Sequence, residues 1–278
     1  MIIYRSTKAG FIQDAVRGII ADRVREEYEK HIGKANSNEI RSWANSLRYM
    51  AKTVDTPMIH DEAAVCIEYR LPNSGHRIDF IIAGQDASGR DNVVIVELKQ
   101  WQEAEVIEDR RLLSTYLAGG NRMVAHPSYQ AWSYAVTLEN YNEAVEDGRI
   151  SLFPCAYLHN YVFLEGDKIN DSSLFPEIRK APLFFSDESE RLRSFIVSCV
   201  SSPDSRNLMD AIDNGRLRPS KSLQDAVGSM LRGSREFVLL DDQKVFFEDI
   251  MAYVKRARLD DRKHVFIVEG GPGTGKSV

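Results

Sequence analysis

Apolar and polar positions along the chain recur with two periods, one helical and one extended. From residue 11 to residue 32, Phe11, Ala15, Val16, Ile19, Ile20 and Val24 return at helical spacing, which predicts one long packing helix closed by Gly33. A second helix is predicted from Ser37 to Thr53, with Asn36 and Glu39 as a capping box and Trp43, Leu47 and Met50 as its buried stripe. Pro57 ends the helical region, and the period then shortens to two. Ala63 to Arg70 is predicted as a strand in which Val65, Ile67 and Tyr69 alternate with Cys66, Glu68 and Arg70. Arg77 to Lys99 forms two apolar runs around a polar hinge, Gly84 to Asn92, and predicts a hairpin. Pro127 suits the first turn of a further helix, Ile150 to Leu158 reads as a closing strand, and residues 187 to 200 form another helix with Asp187 at its N-cap.

The run Val93 to Lys99 is rich in Val and Ile, as in a strand buried on both faces, yet it ends in Glu97, Leu98 and Lys99. Alternation puts Glu97 and Lys99 on one face, and an in-register hairpin brings Asp79 within reach of Glu97. Two ionised carboxylates buried together repel. A bound Mg²⁺ or Mn²⁺ removes that conflict, because hard cations take oxygen ligands. Such a metal could activate water and neutralise charge on a phosphate, with Lys99 holding the water or stabilising developing negative charge. The plain alternative is a structural ion pair between Lys99 and Glu97. Glu68 is a further candidate acid, or a partner for Arg70 or Arg77. Trp101 covers the sheet end or stacks on a base, and Arg110 and Arg111 are a solvated pair or touch phosphate.

Composition narrows the field. With 278 residues and 43% hydrophobic content, the chain has room for one large or two modest globular domains. No apolar run has the length of a membrane span, and the N-terminus lacks a signal-peptide pattern, so no membrane partner and a cytoplasmic location are expected. Three scattered cysteines, Cys66, Cys155 and Cys199, suggest buried thiols in a reducing compartment, and the six histidines show no metal-ligand spacing. A net charge of −5 means that any nucleic-acid contact comes from local patches.

Asp79, Glu97 and Lys99 in this strand–hairpin–strand context resemble the PD-(D/E)xK nuclease superfamily, although Ile78 stands where the proline of the family name would be. The resemblance implies an α/β, restriction-endonuclease-like core: a mixed sheet flanked by helices, in the order αβββαβ. It implies catalytic roles for Asp79, Glu97 and Lys99, with Asp79 and Glu97 as ligands of Mg²⁺ or Mn²⁺. In such enzymes a helix before the first strand often supplies another acid, a role that falls on Glu39 beside its capping role. The order Q-A-W-S-Y, Gln130 to Tyr134, matches the Q-x-x-x-Y motif of the RecB-like branch. By that likeness Gln130 orients the water, metal or backbone, and Tyr134 contacts nucleic acid, DNA ahead of RNA. Read without the likeness, the two residues belong to an amphipathic core helix.

A second motif lies at the C-terminus. Gly270, Gly275, Lys276 and Ser277 fit G-x-x-x-x-G-K-[ST] after His264 to Glu269, which reads as a short apolar strand, with Gly273 inside the loop. Glycines let backbone N–H groups curl round phosphate oxygens, while Lys276 reaches the β- and γ-phosphates and Ser277 binds Mg²⁺. Gln243 in LLDDQ resembles the adenine-reading Q motif of helicase-type ATPases. Together the two ends resemble bacterial Schlafen group 3-like DNA/RNA helicases. The expected organisation is a nuclease-like domain over 1–200, a linker over 201–235 and the start of a P-loop ATPase over 236–278. The acid of a Walker B strand does not follow, so ATP is expected to serve only a longer protein, and no ATP hydrolysis is expected from this chain. The leading expectation is a metal-dependent nuclease. The rivals are a nuclease-like fold that grips nucleic acid without cutting it and a regulatory module of the ATPase.

Overall fold

The computed structural model describes residues 1–71, 74–117, 119–146, 148–216, 238–258 and 265–269. A mixed six-stranded sheet runs in the order β1-β2-β3-β4-β8-β9, built from β1 (Ile2–Thr7), β2 (Ala64–Arg70), β3 (Arg77–Gln85), β4 (Asp91–Lys99), β8 (Ile150–Leu158) and β9 (Leu183–Phe185). The first four strands pair antiparallel, and β8 and β9 add in parallel. A separate sheet holds β5 (Glu105–Ile107), β6 (Leu112–Leu117) and β7 (Gly120–Val124). No described helix is long and apolar enough to cross a membrane.

Helices cover both faces of the large sheet. On one face lie α1 (Lys8–Val16), α2 (Ile20–His31), α3 (Ser37–Val54) and α6 (Ser189–Cys199), which bury Phe11, Val24, Leu47 and Ile196 against Val65, Phe80 and Val94. On the other lie α4 (Pro127–Tyr141) and α7 (Leu208–Asp213), where Leu138 and Met209 meet Ile81, Val93 and Ile95. The four residues Val93 to Val96 are fully buried between these layers. Each such side chain contributes roughly 1.5–3 kcal/mol, which makes β4 the anchor of the fold. The short α5 (Glu143–Glu146) joins α4 to β8, and α8 (Asp241–Ala257) lies against β7.

The structure departs from the sequence expectations where a local feature interrupts a period. The helix expected over 11–32 is two helices, because Gly18 adopts a left-handed φ of +73° between them and leaves Val16 exposed. The N-cap of α6 is Glu188, not Asp187, and the Glu188 carboxylate accepts instead from the Phe185 N–H at 3.1 Å. The apolar run Val265 to Glu269 forms no strand and is exposed. The strands β1, β5, β6, β7 and β9 were not expected. Residues 201–216, the start of the expected linker, fold back on the sheet through α7 and a bridge between Gln85 and Ser202. Gly84 makes that crossing possible, since a Cβ there would lie 2.4 Å from the Ser202 carbonyl oxygen. Residues 217–235, the rest of that linker, lie outside the described residues.

The three cysteines are buried free thiols. His126 is the buried N-cap of α4: its Nδ1 accepts from the Ser128 N–H at 3.1 Å and its Nε2–H donates to the Ile169 carbonyl at 2.9 Å. Burial pulls its pKa down from 6.5 to about 4, against the small opposing effect of the Ile169 carbonyl. The folded state therefore holds this proton less well than the unfolded chain. Stability is fully present above pH 6.5 and falls toward pH 4, by about 3 kcal/mol from this residue alone. Urea unfolding of the wild type and His126→Asn across that range checks this. The variant is expected to lose less stability on acidification, and equal slopes for the two proteins refute it.

Candidate active site

Three acids stand in a row across three adjacent strands. The pair Phe80–Val96 sets the β3–β4 register and carries it on to Asp79 opposite Glu97. The pairs Ile67–Phe80 and Tyr69–Ile78 bracket Glu68 opposite Asp79 in the same way. Ideal alternation would put Ile67 and Tyr69 on one face, and Ile78 and Phe80 on one face. Instead Ile67 and Phe80 join the α3 side of the core, while Tyr69 and Ile78 join the α4 side. The side-chain phase slips at Glu68 and Asp79. On β2 the cause is visible: Glu68 has φ +56°, a left-handed conformation that re-aims a side chain in mid-strand. The slip turns Glu68 toward α3, where its carboxylate accepts from Trp43 Nε1–H at 2.7 Å.

The acids open onto a cleft of about 220 Å³ lined by Ser42, Ser46, Glu68, Asp79, Glu97 and Lys99. Asp79 accepts the Leu98 N–H at 2.8 Å, which ties it to β4. Lys99 Nζ donates to Glu97 Oε1 at 2.6 Å, while Glu97 Oε2 is buried without a hydrogen-bond partner among the described residues. Arg77 faces Glu68 at 3.0 Å and Glu39 at 3.1 Å. Its approach to Glu68 is close enough for an ion pair but not aligned as a hydrogen bond.

Electrostatics follow from this crowding. Burial raises Glu97 to about 8; the Asp79 charge pushes the same way and Lys99 opposes both. Burial also raises Asp79, against the pull of Lys99 and the Leu98 N–H. Glu68 rises to about 7 through burial and the Asp79 charge, with Arg77 opposing. Burial alone would lower Lys99, but Glu97 and Asp79 outweigh it and hold the ammonium protonated. The site is thus a desolvated acidic cluster held together by two cations. Among the described residues no three His, Cys, Asp or Glu side chains converge as a ready set of metal ligands. Asp79 and Glu97 supply two carboxylates, and the orphaned Glu97 oxygen is an unfilled acceptor of the kind a hard cation takes. That number suits Mg²⁺, which binds through one or two carboxylates and keeps water and phosphate oxygens for its remaining positions.

Gln130 and Tyr134 share a face of α4, one turn apart as their spacing required. They do not point at a free cleft. Gln130 Nε2 donates to Asp241 Oδ1 at 2.8 Å and Tyr134 O–H donates to Asp241 Oδ2 at 2.7 Å, both on the first residue of α8. His76 Nδ1 meets the same carboxylate at 2.8 Å. Glu39 is not gathered with Asp79 and Glu97. Its carboxylate accepts from the Asn36 N–H and from Arg77, so the capping reading describes its position. Gln243 accepts the Leu240 N–H at 3.0 Å, where it caps α8. Trp101 is buried in the core under Lys99, whose Nζ lies 5.5 Å from the ring centre, so it does not offer a free stacking face. Arg110 pairs with Asp249 of α8. Gly270, Gly273, Gly275, Lys276 and Ser277 lie outside the described residues.

Sequence reasoning missed His76 and Asp241. In the run LLDDQ only Gln243 was singled out, and acids at a helix start are favoured by the helix dipole without further cause. His76 carried no spacing signal at all. Comparison of the chain with family models, curated proteins and solved structures returned no match.

Proposed function

We propose that this chain is a metal-dependent nuclease domain that hydrolyses phosphodiester bonds, with DNA ahead of RNA as substrate. The observation that carries the reading is the meeting of Asp79, Glu97 and Lys99 at the ends of β3 and β4, with one Glu97 oxygen left without a partner. The order α3-β2-β3-β4-α4-β8, with the separate sheet β5–β7 inserted between β4 and α4 and the short α5 between α4 and β8, supports a restriction-endonuclease-like core and the PD-(D/E)xK likeness. Asp79 and Glu97 would hold Mg²⁺ or Mn²⁺, which when bound lowers the pKa of water and neutralises charge on the phosphate. Lys99 is the cation beside them. Its ammonium, now on Glu97, would face an attacking water or the developing phosphorane charge.

A second reading is a nuclease-like fold that grips nucleic acid without cutting it. The 2.6 Å Lys99–Glu97 pair favours it, because that contact already neutralises one acid. Titration of Mn²⁺ against labelled DNA separates the two. Metal-dependent product formation supports the nuclease. Tight binding with no cleavage at any Mn²⁺ concentration overturns it in favour of the grip.

A further inference from the structure

We propose that His76, Gln130 and Tyr134 form a seat for a phosphodiester anion, and that the carboxylate of Asp241 fills that seat when no nucleic acid is bound. The inference rests on the nucleic-acid reading of the cleft. Three donors from two separate parts of the chain, the residue before β3 and one face of α4, converge on a single carboxylate from α8. A carboxylate and a phosphodiester present the same face to such donors, a delocalised negative charge on oxygens that only accept. Asp241 itself is not capping its helix, since Gln243 meets the Leu240 N–H instead. Its φ of +32° is a backbone conformation that non-glycine residues hold only when the surroundings require it.

The seat adjoins the acidic cluster. The helix α4, which carries Gln130 and Tyr134, packs against β4, which carries Glu97 and Lys99, and His76 directly precedes β3, the strand of Asp79. Burial would raise Asp241, but the bonds from His76, Tyr134 and Gln130 outweigh it and keep the group ionised. The bond to Asp241, against the effect of burial, in turn raises His76. An anion is therefore accepted beside two buried acids because these donors hold it. Among the described residues Gln130 Oε1 is buried without a partner, so the amide turns its NH₂ to the anion and leaves its acceptor unsatisfied. Nucleic acid entering this place must displace Asp241, which is tethered and competes as an internal ligand. Movement of α8 would then empty or fill the seat.

The test is binding of a labelled oligodeoxynucleotide to the whole chain in EDTA, read by fluorescence anisotropy. Asp241→Ala is expected to lower Kd by about tenfold or more, as release from an internal competitor does. Asp241→Asn, which keeps the size and loses the charge, is expected to give a smaller gain, and thermal melting confirms that each variant is folded. The gain should vanish when Gln130→Ala and Tyr134→Phe are added. Unchanged or weaker binding by a folded Asp241→Ala or Asp241→Asn protein overturns the proposal, as does a gain that survives loss of Gln130 and Tyr134. Excess ATP should fail to displace the oligonucleotide; full displacement means that the seat takes a nucleotide phosphate instead. Cleavage with Mn²⁺ is scored separately. An affinity gain with no cleavage by any variant sustains the seat and refutes the nuclease. Cleavage by the wild type without any gain does the reverse.

Discussion

Asp79→Asn is expected to reduce Mn²⁺-dependent cleavage by about a thousandfold or more while leaving the melting temperature unchanged or higher. The loss is the size seen when one preorganised electrostatic group is removed from a reacting phosphate or acyl centre. The stability half of the prediction comes from burial. Asp79 ionises with difficulty because it is desolvated, so its charge works against the folded state at neutral pH. Asparagine keeps an oxygen to accept the Leu98 N–H and brings no charge. Glu97→Gln should match it in activity but not in stability, because Lys99 then loses its carboxylate at 2.6 Å. Lys99→Ala should slow cleavage while sparing metal binding. The measurements are a gel assay of product formation and a thermal melt on each variant. Cleavage that persists in both acid variants removes Asp79 and Glu97 from the chemistry and the nuclease assignment with them.

Arg77→Met is expected to destabilise the fold by about 3 kcal/mol, the scale for removing one partner of a buried ion pair. The Arg77 guanidinium stands between Glu68 and Glu39 and lies 5.5 Å from the centre of the Tyr28 ring. Glu68 is almost wholly buried, so without Arg77 it faces Asp79 with only the Trp43 N–H in support. Methionine fills much of the volume but supplies no charge. Adding Glu68→Gln removes the stranded carboxylate, keeps an acceptor for Trp43, and should restore most of the loss, about 2 kcal/mol. Urea unfolding of the wild type, both single variants and the double variant closes the cycle. A loss below about 1 kcal/mol, or no recovery in the double variant, shows that Arg77 and Glu68 are not coupled. This structural role separates Arg77 and Glu68 from Asp79 and Glu97, although Glu68, Asp79 and Glu97 line one cleft at the end of the sheet.

The sequence by itself determined the central hairpin, and with it the approach of Asp79 to Glu97. Strand period, a glycine-containing hinge and a run of Val and Ile are local properties, carried by backbone geometry within a few residues, so they survive without knowledge of the rest of the chain. The capping box of α3, the extent of β8 and the shared face of Gln130 and Tyr134 were legible for the same reason. What only the tertiary structure decided lies where a residue leaves its ideal period or meets a residue far along the chain. The strand reading named Glu68 as a further candidate acid, but the left-handed φ that turns it into the cleft beside Asp79 breaks the alternation and is visible only in the structure. The motif reading sent Gln130 and Tyr134 toward metal and nucleic acid. The packed chain gives both of them to Asp241, more than a hundred positions away. Such a contact has no local signature. It forms because docking α8 against β7 brings an acid to three donors, and long-range docking is set by the whole buried surface rather than by any segment's own pattern.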